Sequence, residues 1–400
     1  MKKIQVLIMV LLLSLFVSSC SKKSNGIVIW HDKEAAVINI LKEYLNKEIP
    51  DVEVEFLRRE SLTDNLKLVG NSESAAPDMY IFAHDKIGLF SELGILEPIT
   101  SFISKDKLDS DYVKLTVDAA TYKNNIYQLP IYYETVLFMY NKDRMSESEV
   151  PKTTEELYTY MKNNTDSRRY GFVEQHSSAY YSAGWIHGFN GSILDGSGKP
   201  TLDNESTIKA LEYHKKFLEY MPKGQAEYAT VNTMFYEKKA NSIIGGPWIV
   251  PLAKENGIDL GFASMPIVDE TNLPISPFAG VQGVHVLKIA AKNPDKKAKI
   301  QSIIDVFASS DMGIDLALET GSAPAQSAAY EKEEIINNEL VMAMKEAAEK
   351  AIPMPNLPEM DIMWVTAANM LVAININGKD VKEAVKEAQK ESQDLIDAMK

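Results

Sequence analysis

Short apolar runs alternate with amphipathic stretches along most of this chain, and that alternation restricts it to an α/β architecture. Ile27-Val28-Ile29-Trp30 is a compact apolar run that leads into Asp32 to Glu48, where Ala36, Val37, Ile40, Leu41 and Leu45 recur at helical spacing. Val52 to Phe56 alternates with period two, and Pro77 to Ala83 supplies another short apolar run after a second amphipathic stretch. Strand, helix and strand repeated in this order predict a parallel layer covered by helices. The middle of the chain has the same grammar: a strand-like run near Tyr132 to Tyr140, helices near Thr153 to Lys162 and Thr207 to Glu219, and a strand at Asn241 to Ile244. A second α/β lobe follows. The C-terminal part then predicts helices at Pro294 to Ser309, Asp311 to Leu318, Lys332 to Lys350, Asp361 to Ile374 and Lys379 to Met399.

The N-terminus is of another kind. Lys2 and Lys3 precede an apolar run from Ile4 to Val17, too short for a resident membrane helix and typical of a secretion signal. It ends at Val17-Ser18-Ser19-Cys20, the pattern of a bacterial lipobox, which predicts a signal peptide of residues 1–19 and acylation of Cys20. Residues 20–26 are polar and read as a lipid-anchored tether. Because Cys20 is the only cysteine, this exported chain has no internal disulfide and no cysteine zinc site, so its 400 residues must be held by their own core.

The formal charge is -14 and becomes two units more negative when Lys2 and Lys3 leave with the signal. Nucleic-acid binding needs clustered Lys and Arg, so this acidity argues against it and describes a solvated surface. Catalytic signatures are missing too: the sequence contains no Gly-x-Ser-x-Gly, His-Glu-x-x-His or Gly-x-x-x-x-Gly-Lys pattern. His31, His84, His176, His187, His214 and His285 are scattered, without metal-site spacing, and no cofactor is expected. Two carboxylates at the right separation suffice for a glycoside hydrolase, and spacing in the chain does not reveal separation in space. That alternative stays open.

Several segments, in unbroken order from about Ile27 to the C-terminus, resemble the maltose/maltodextrin-binding proteins of bacterial ABC importers, within the extracellular solute-binding proteins of family 1. The opening Ile27-Val28-Ile29-Trp30-His31-Asp32-Lys33 is similar to the family's first strand and loop, which implies that Asp32 and Lys33 meet sugar hydroxyls. Ala76-Pro77-Asp78 with Phe82-Ala83-His84-Asp85-Lys86 resembles the family's third-strand signature, and implies a sugar-facing role for Phe82, Asp85 and Lys86. Here phenylalanine replaces the usual tryptophan and lysine the usual arginine, which reduces stacking area and the two-pronged donor geometry. Pro130 to Asp143 resembles the first crossover between lobes and implies that Glu134 binds hydroxyls. Gly245-Gly246-Pro247-Trp248 and Met354 to Met360 with Trp364 resemble the family's two tryptophan segments. Tyr180 alone stands for its Glu-Pro-Tyr triplet, and Val365 and Ala368 replace an expected tyrosine and arginine.

The resemblance implies a two-lobed type II periplasmic-binding-protein fold, each lobe a mostly parallel sheet flanked by helices. Residues 27–131 with 284–322 are expected to form the N-terminal lobe, and 132–283 with 323–400 the C-terminal one. It further implies a monomer in the cell envelope, anchored through Cys20, that closes on an oligosaccharide and is recognised by ABC permease subunits. Physically the set suits a sugar: Tyr180, Trp248 and Trp364 offer plates for its C–H faces, while Asp32, Asp85, Glu134, Lys33 and Lys86 meet its hydroxyls. Taken singly, each aromatic is equally well explained by burial in the core. A different oligosaccharide or solute remains the alternative ligand.

Overall fold

The computed structural model describes residues 26–224 and 227–399; the predicted signal peptide, Cys20 and the tether up to residue 25 lie outside the described residues. In chain order the elements that position the site are β1 (Ile27–His31), α1 (Ala35–Glu48), β2 (Val54–Arg58), α2 (Leu62–Val69), β3 (Met79–Ala83), β4 (Leu129–Glu134) and β5 (Leu137–Asn141). They are followed by β6 (Tyr170–Val173), α3 (Ala179–His187), α4 (Glu205–His214), β7 (Ala240–Gly245), β8 (Leu260–Ala263), β9 (Phe278–Leu287) and α5 (Pro294–Phe307). β10 (Ala323–Pro324), α6 (Glu339–Lys350), α7 (Met360–Asn375) and α8 (Val381–Met399) complete the set.

Two sheets, one in each lobe, carry the architecture. The first has the order β10-β4-β9-β3-β1-β2 and the second β8-β5-β7-β6. Parallel pairing, the expected arrangement, joins β1 to β2 and β3, with Ile27 opposite Val54 and Ile29 opposite Met79. The rest of the pattern is mixed. β9 runs antiparallel to both β3 and β4, and β5 runs antiparallel to both β7 and β8. The reason lies in the connections: β4 and β5 are separated only by Thr135 and Val136, so the chain passes from one sheet to the other in a single stride and later returns through β9. All ten residues of β9 are buried, which calls for a near-continuous apolar run. Its exceptions have partners: Gln282 bonds Glu134, and the His285 ring stacks on Tyr80 at 4.3 Å between centroids.

The run Tyr132 to Tyr140 is therefore two strands in two sheets. Thr135 at the crossing donates its hydroxyl to the Phe278 carbonyl at 2.8 Å, which stitches the outgoing crossover to the returning one. β4 and β9 pair with each other and with the first sheet from Gly280 onwards, Phe278 and Ala279 pair with Ile352 and Pro353, and β10 pairs with β4. We accordingly propose lobe boundaries at residues 135–136, at 279–280 and beyond 324, in place of 131/132, 283/284 and 322/323. The expected helix from Lys332 to Lys350 is also divided, because Asn338 caps a new start by accepting from the Val341 N–H.

Each lobe has its own core. In the first, Ile27, Ile29, Met79 and Ile81 pack under Leu41 and Leu45 of α1 and Ile300, Ile303 and Phe307 of α5. Burying such a side chain contributes about 1.5–3 kcal/mol. In the second, Phe138, Phe172, Trp185 and Phe217 meet Met360, Met363, Ala367 and Met370 of α7. That apolar stripe leaves Asp361 and Val365 off the core, with Trp364 at its margin, packed against Phe278 and only partly buried.

Candidate functional site

Parallel strands gather polar loops at their carboxyl ends, and β1 and β3 are neighbours. Asp32-Lys33 follows β1 and His84-Asp85-Lys86 follows β3, so both pairs arrive at one edge of the first sheet. The Lys33 ammonium lies 2.8 Å from Asp32 and 5.5 Å from the centre of the Phe82 ring. Glu134 ends β4 beside them and accepts from Gln282 Nε2 at 2.9 Å. Burial pushes the Glu134 carboxyl above the usual glutamate range, against the opposing pull of Lys33 and Gln282.

The other wall comes from the second lobe. Tyr180 opens α3 and its ring lies 6.5 Å from Trp248, inclined at 48°. The Tyr180 phenol is held well above its ordinary range by burial, with the negative charges of Glu134 and Asp85 adding to it. Trp248 needs Gly246 before it: a Cβ there would sit 2.2 Å from the indole ring. Trp364 donates from Nε1 to Asp85 at 2.9 Å and meets Phe278 edge-on at 5.6 Å.

The structure joins the residues singled out in the sequence in groups: Asp32, Lys33 and Phe82 on the first lobe, Tyr180 with Trp248 on the second, and Asp85 and Lys86 of the first lobe with Trp364 of the second, while Glu134 is held by Gln282. Tyr180, Trp248 and Trp364 are each half-buried, a state suited to plates that still face solvent on one side. One position differs from expectation. Lys86, expected to donate to sugar, already places its ammonium 2.8 Å from Asp361 and 3.4 Å from Asp85. The missing tyrosine and arginine leave a mark as well, since Val365 is 61% exposed on the same helix as Trp364.

Three residues of the site were not singled out in the sequence. Gln282 orients Glu134, and Asp361 holds Lys86. His84 is fully buried, accepts from the Val281 N–H on Nδ1 at 3.0 Å and donates from Nε2 to the Met354 carbonyl at 2.9 Å, tying the Asp85 loop to two segments at the hinge. Burial keeps its ring neutral by lowering its pKa, as that bonding pattern requires. The signals were weak: Asp361 stands three residues before Trp364 on one helical face, and His84 adjoins Asp85. Gln282 had none. Among the described residues no group of His, Cys, Asp and Glu is arranged to hold a metal ion.

Known proteins of similar sequence and fold are solute-binding proteins. The chain is 32% identical to a maltotriose-binding protein of Pyrococcus abyssi, over 85% of its own length and 75% of that protein's. It is 28% identical to a galactooligosaccharide-binding protein of Bacillus subtilis, over 99% and 98%. Its fold matches a maltose/maltodextrin-binding domain of Bdellovibrio bacteriovorus solved with maltotriose, with a TM-score of 0.82, 23% identity and coverage of 93% and 99%. The family model for bacterial extracellular solute-binding proteins matches residues 30–314, and the chain belongs to that family.

Proposed function

We propose that this protein captures a maltodextrin-type oligosaccharide between its lobes and delivers it to the permease of an ABC importer, without catalysing a reaction. The observation that carries this reading is the bond across the lobes from the Trp364 indole to Asp85, which sets an aromatic plate beside charged hydroxyl partners, with two further half-buried aromatics, Tyr180 and Trp248, paired on the second lobe. Closure is the expected response, because contacts made from both walls exist only when the lobes meet. The carboxylates act as acceptors already oriented by Lys33, Gln282 and Trp364, an arrangement for holding hydroxyls. Acylated Cys20 keeps the monomer at the membrane, and neither nucleic acid nor cofactor takes part.

Titration calorimetry with maltotriose should show saturable binding, small-angle scattering should show a smaller radius of gyration with ligand, and the sugar should be recovered intact. Protein recovered from membranes should begin at a lipid-modified Cys20. No binding and an unchanged scattering profile would sink the proposal. Exposed Val365 and the absent arginine at Ala368 favour one second reading, a galactooligosaccharide, since a maltodextrin loses two expected contacts there. Preference for that sugar over maltotriose in the same titration decides for it.

Binding should also depend on pH. The ionised form of Glu134 accepts hydroxyl protons, and its raised pKa makes protonation begin above the ordinary glutamate value of 4.5. Affinity should thus fall as pH drops from neutral towards that value, and Glu134→Gln should weaken binding at neutral pH and flatten the dependence. For the ligand-free fold the sign is opposite: a raised carboxyl pKa contributes stability fully below the unfolded value, lost as pH rises through the folded one. A wild-type affinity that does not change over this window would remove Glu134 from the site.

A further inference from the structure

The first turns of α7 are fastened to the opposite lobe by charge. Asp361 receives Lys67 of α2 at 2.5 Å on one carboxylate oxygen and Lys86 at 2.8 Å on the other. Both lysines belong to the first lobe, where Leu62 and Leu66 anchor α2 and the Lys86 loop follows β3. The opposite face of α7, with Met360, Met363 and Ala367, is part of the second lobe's core. One turn further on, Trp364 adds its bond to Asp85, so acidic and indole groups on one helical face both reach across. The remaining charged neighbour is Asp64, 3.6 Å from Lys67 on its own helix.

The cluster stays charged. Burial pushes the Asp361 carboxyl up, but the Lys86 and Lys67 ammoniums outweigh it and hold the group below the usual aspartate range. Burial likewise opposes the charge on Lys86, and Asp85 with Asp361 overrides it to raise the lysine's pKa. Lys86 is itself buried, with one N–H used by Asp361 and a second turned to Asp85, which leaves one for a ligand.

We infer that Asp361 is a positioning residue for ligand capture: through Lys67 and Lys86 it ties the two lobes together, and it fixes the Lys86 ammonium so that its remaining N–H meets the ligand. The tie between lobes stands on the ion pairs alone, whereas the presentation of Lys86 rests on the reading of the cleft as a sugar site. Asp361→Asn preserves shape and removes charge, and Lys67→Met removes a group that is not one of the nine candidate site residues.

The experiment measures maltotriose affinity and the ligand-free radius of gyration for the wild type, Asp361→Asn, Asp361→Glu and Lys67→Met, at low salt and at about 1 M, where the screening length falls to about 3 Å. Asp361→Asn should bind about tenfold more weakly at low salt, with the gap to wild type narrowing at high salt. Asp361→Glu should recover part of the loss. Without ligand, Asp361→Asn and Lys67→Met should both be more open than wild type. Wild-type affinity and dimensions in Asp361→Asn would overturn the inference, as would a loss that salt and Asp361→Glu leave unchanged. If the wild type itself ignores maltotriose, the sugar reading fails, and the ligand-free dimensions of the two charge-removing variants still decide the tie. Lys67 lies on a helix surface, so its variant keeps the test available should Asp361→Asn fold poorly.

Discussion

Replacing Trp364 or Trp248 with alanine should weaken oligosaccharide binding by roughly 10- to 100-fold each, the range expected when a well-packed aromatic anchor is truncated. The two are not equivalent. Trp248 contributes a face, set against Tyr180 and folded over Gly246, so its loss should act chiefly through stacking. Trp364 also holds the Asp85 carboxylate through its indole N–H and packs edge-on against Phe278. Its removal frees an acceptor, opens a gap beside the hinge and should give the larger loss. It should also cost stability, less than the roughly 3–5 kcal/mol typical of a fully buried tryptophan, because Trp364 keeps part of its surface exposed. Trp364→Phe separates the contributions: it keeps a plate and the Phe278 contact but not the N–H. Calorimetry for affinity and thermal unfolding without ligand are the checks. Normal binding by both alanine variants would place the ligand elsewhere. Adding the missing groups through Val365→Tyr and Ala368→Arg approaches the question from the other side, since tighter maltotriose binding is expected only if maltodextrin is the ligand.

How far such a site can be read from sequence depends on what fixes each residue. β1 and β3 were legible as short apolar runs buried on both faces and α1 as a helix with one apolar face, and Asp32, Lys33, Asp85 and Lys86 follow from where those strands end. The run through β4 and β5 was not divisible by composition. Both strands are apolar and buried, and the crossing at Thr135-Val136 carries neither Gly nor Pro; it turns because the two strands belong to different sheets. β9 was obscured in a related way, as Gly280, Gln282, Gly283 and His285 interrupt its apolar run and acquire partners only from distant elements. Gly283 shows why the residue type is fixed there: a Cβ would come within 2.3 Å of the Leu129 carbonyl oxygen. The pairing of Lys86 with Asp361 joins positions 275 residues apart, and no local pattern reports it.

The same holds for a buried polar cluster in the second lobe, where the largest effect on stability is expected. Glu174 follows β6, and its side chain, like that of His214, is 1% exposed. One carboxylate oxygen is bonded to His214 Nε2 at the end of α4, and the other accepts from Trp185 Nε1 of α3 at 3.0 Å. His176 lies next to them, its pKa lowered to about 4 by burial and by His214, and its carbonyl accepts from Asn375 of α7. A single carboxylate thus joins two helices to the end of a strand. Glu174→Ala should leave two buried donors without an acceptor and cost about 3–5 kcal/mol, the range for breaking a buried pair from one side. Glu174→Gln keeps one acceptor and should cost less. At roughly 2–4 °C per kcal/mol for a lobe of this size, the alanine variant should melt about 6–20 °C below wild type. Because α3 carries both Trp185 and Tyr180, the lesion should reach the cleft and loosen ligand binding even where the protein remains folded. Replacing the pair together by Glu174→Leu with His214→Phe should recover most of the loss, since two apolar groups need no partner and only the Trp185 N–H is left over. If Glu174→Ala melts with the wild type, the pair adds nothing to stability and its role is confined to orienting α3.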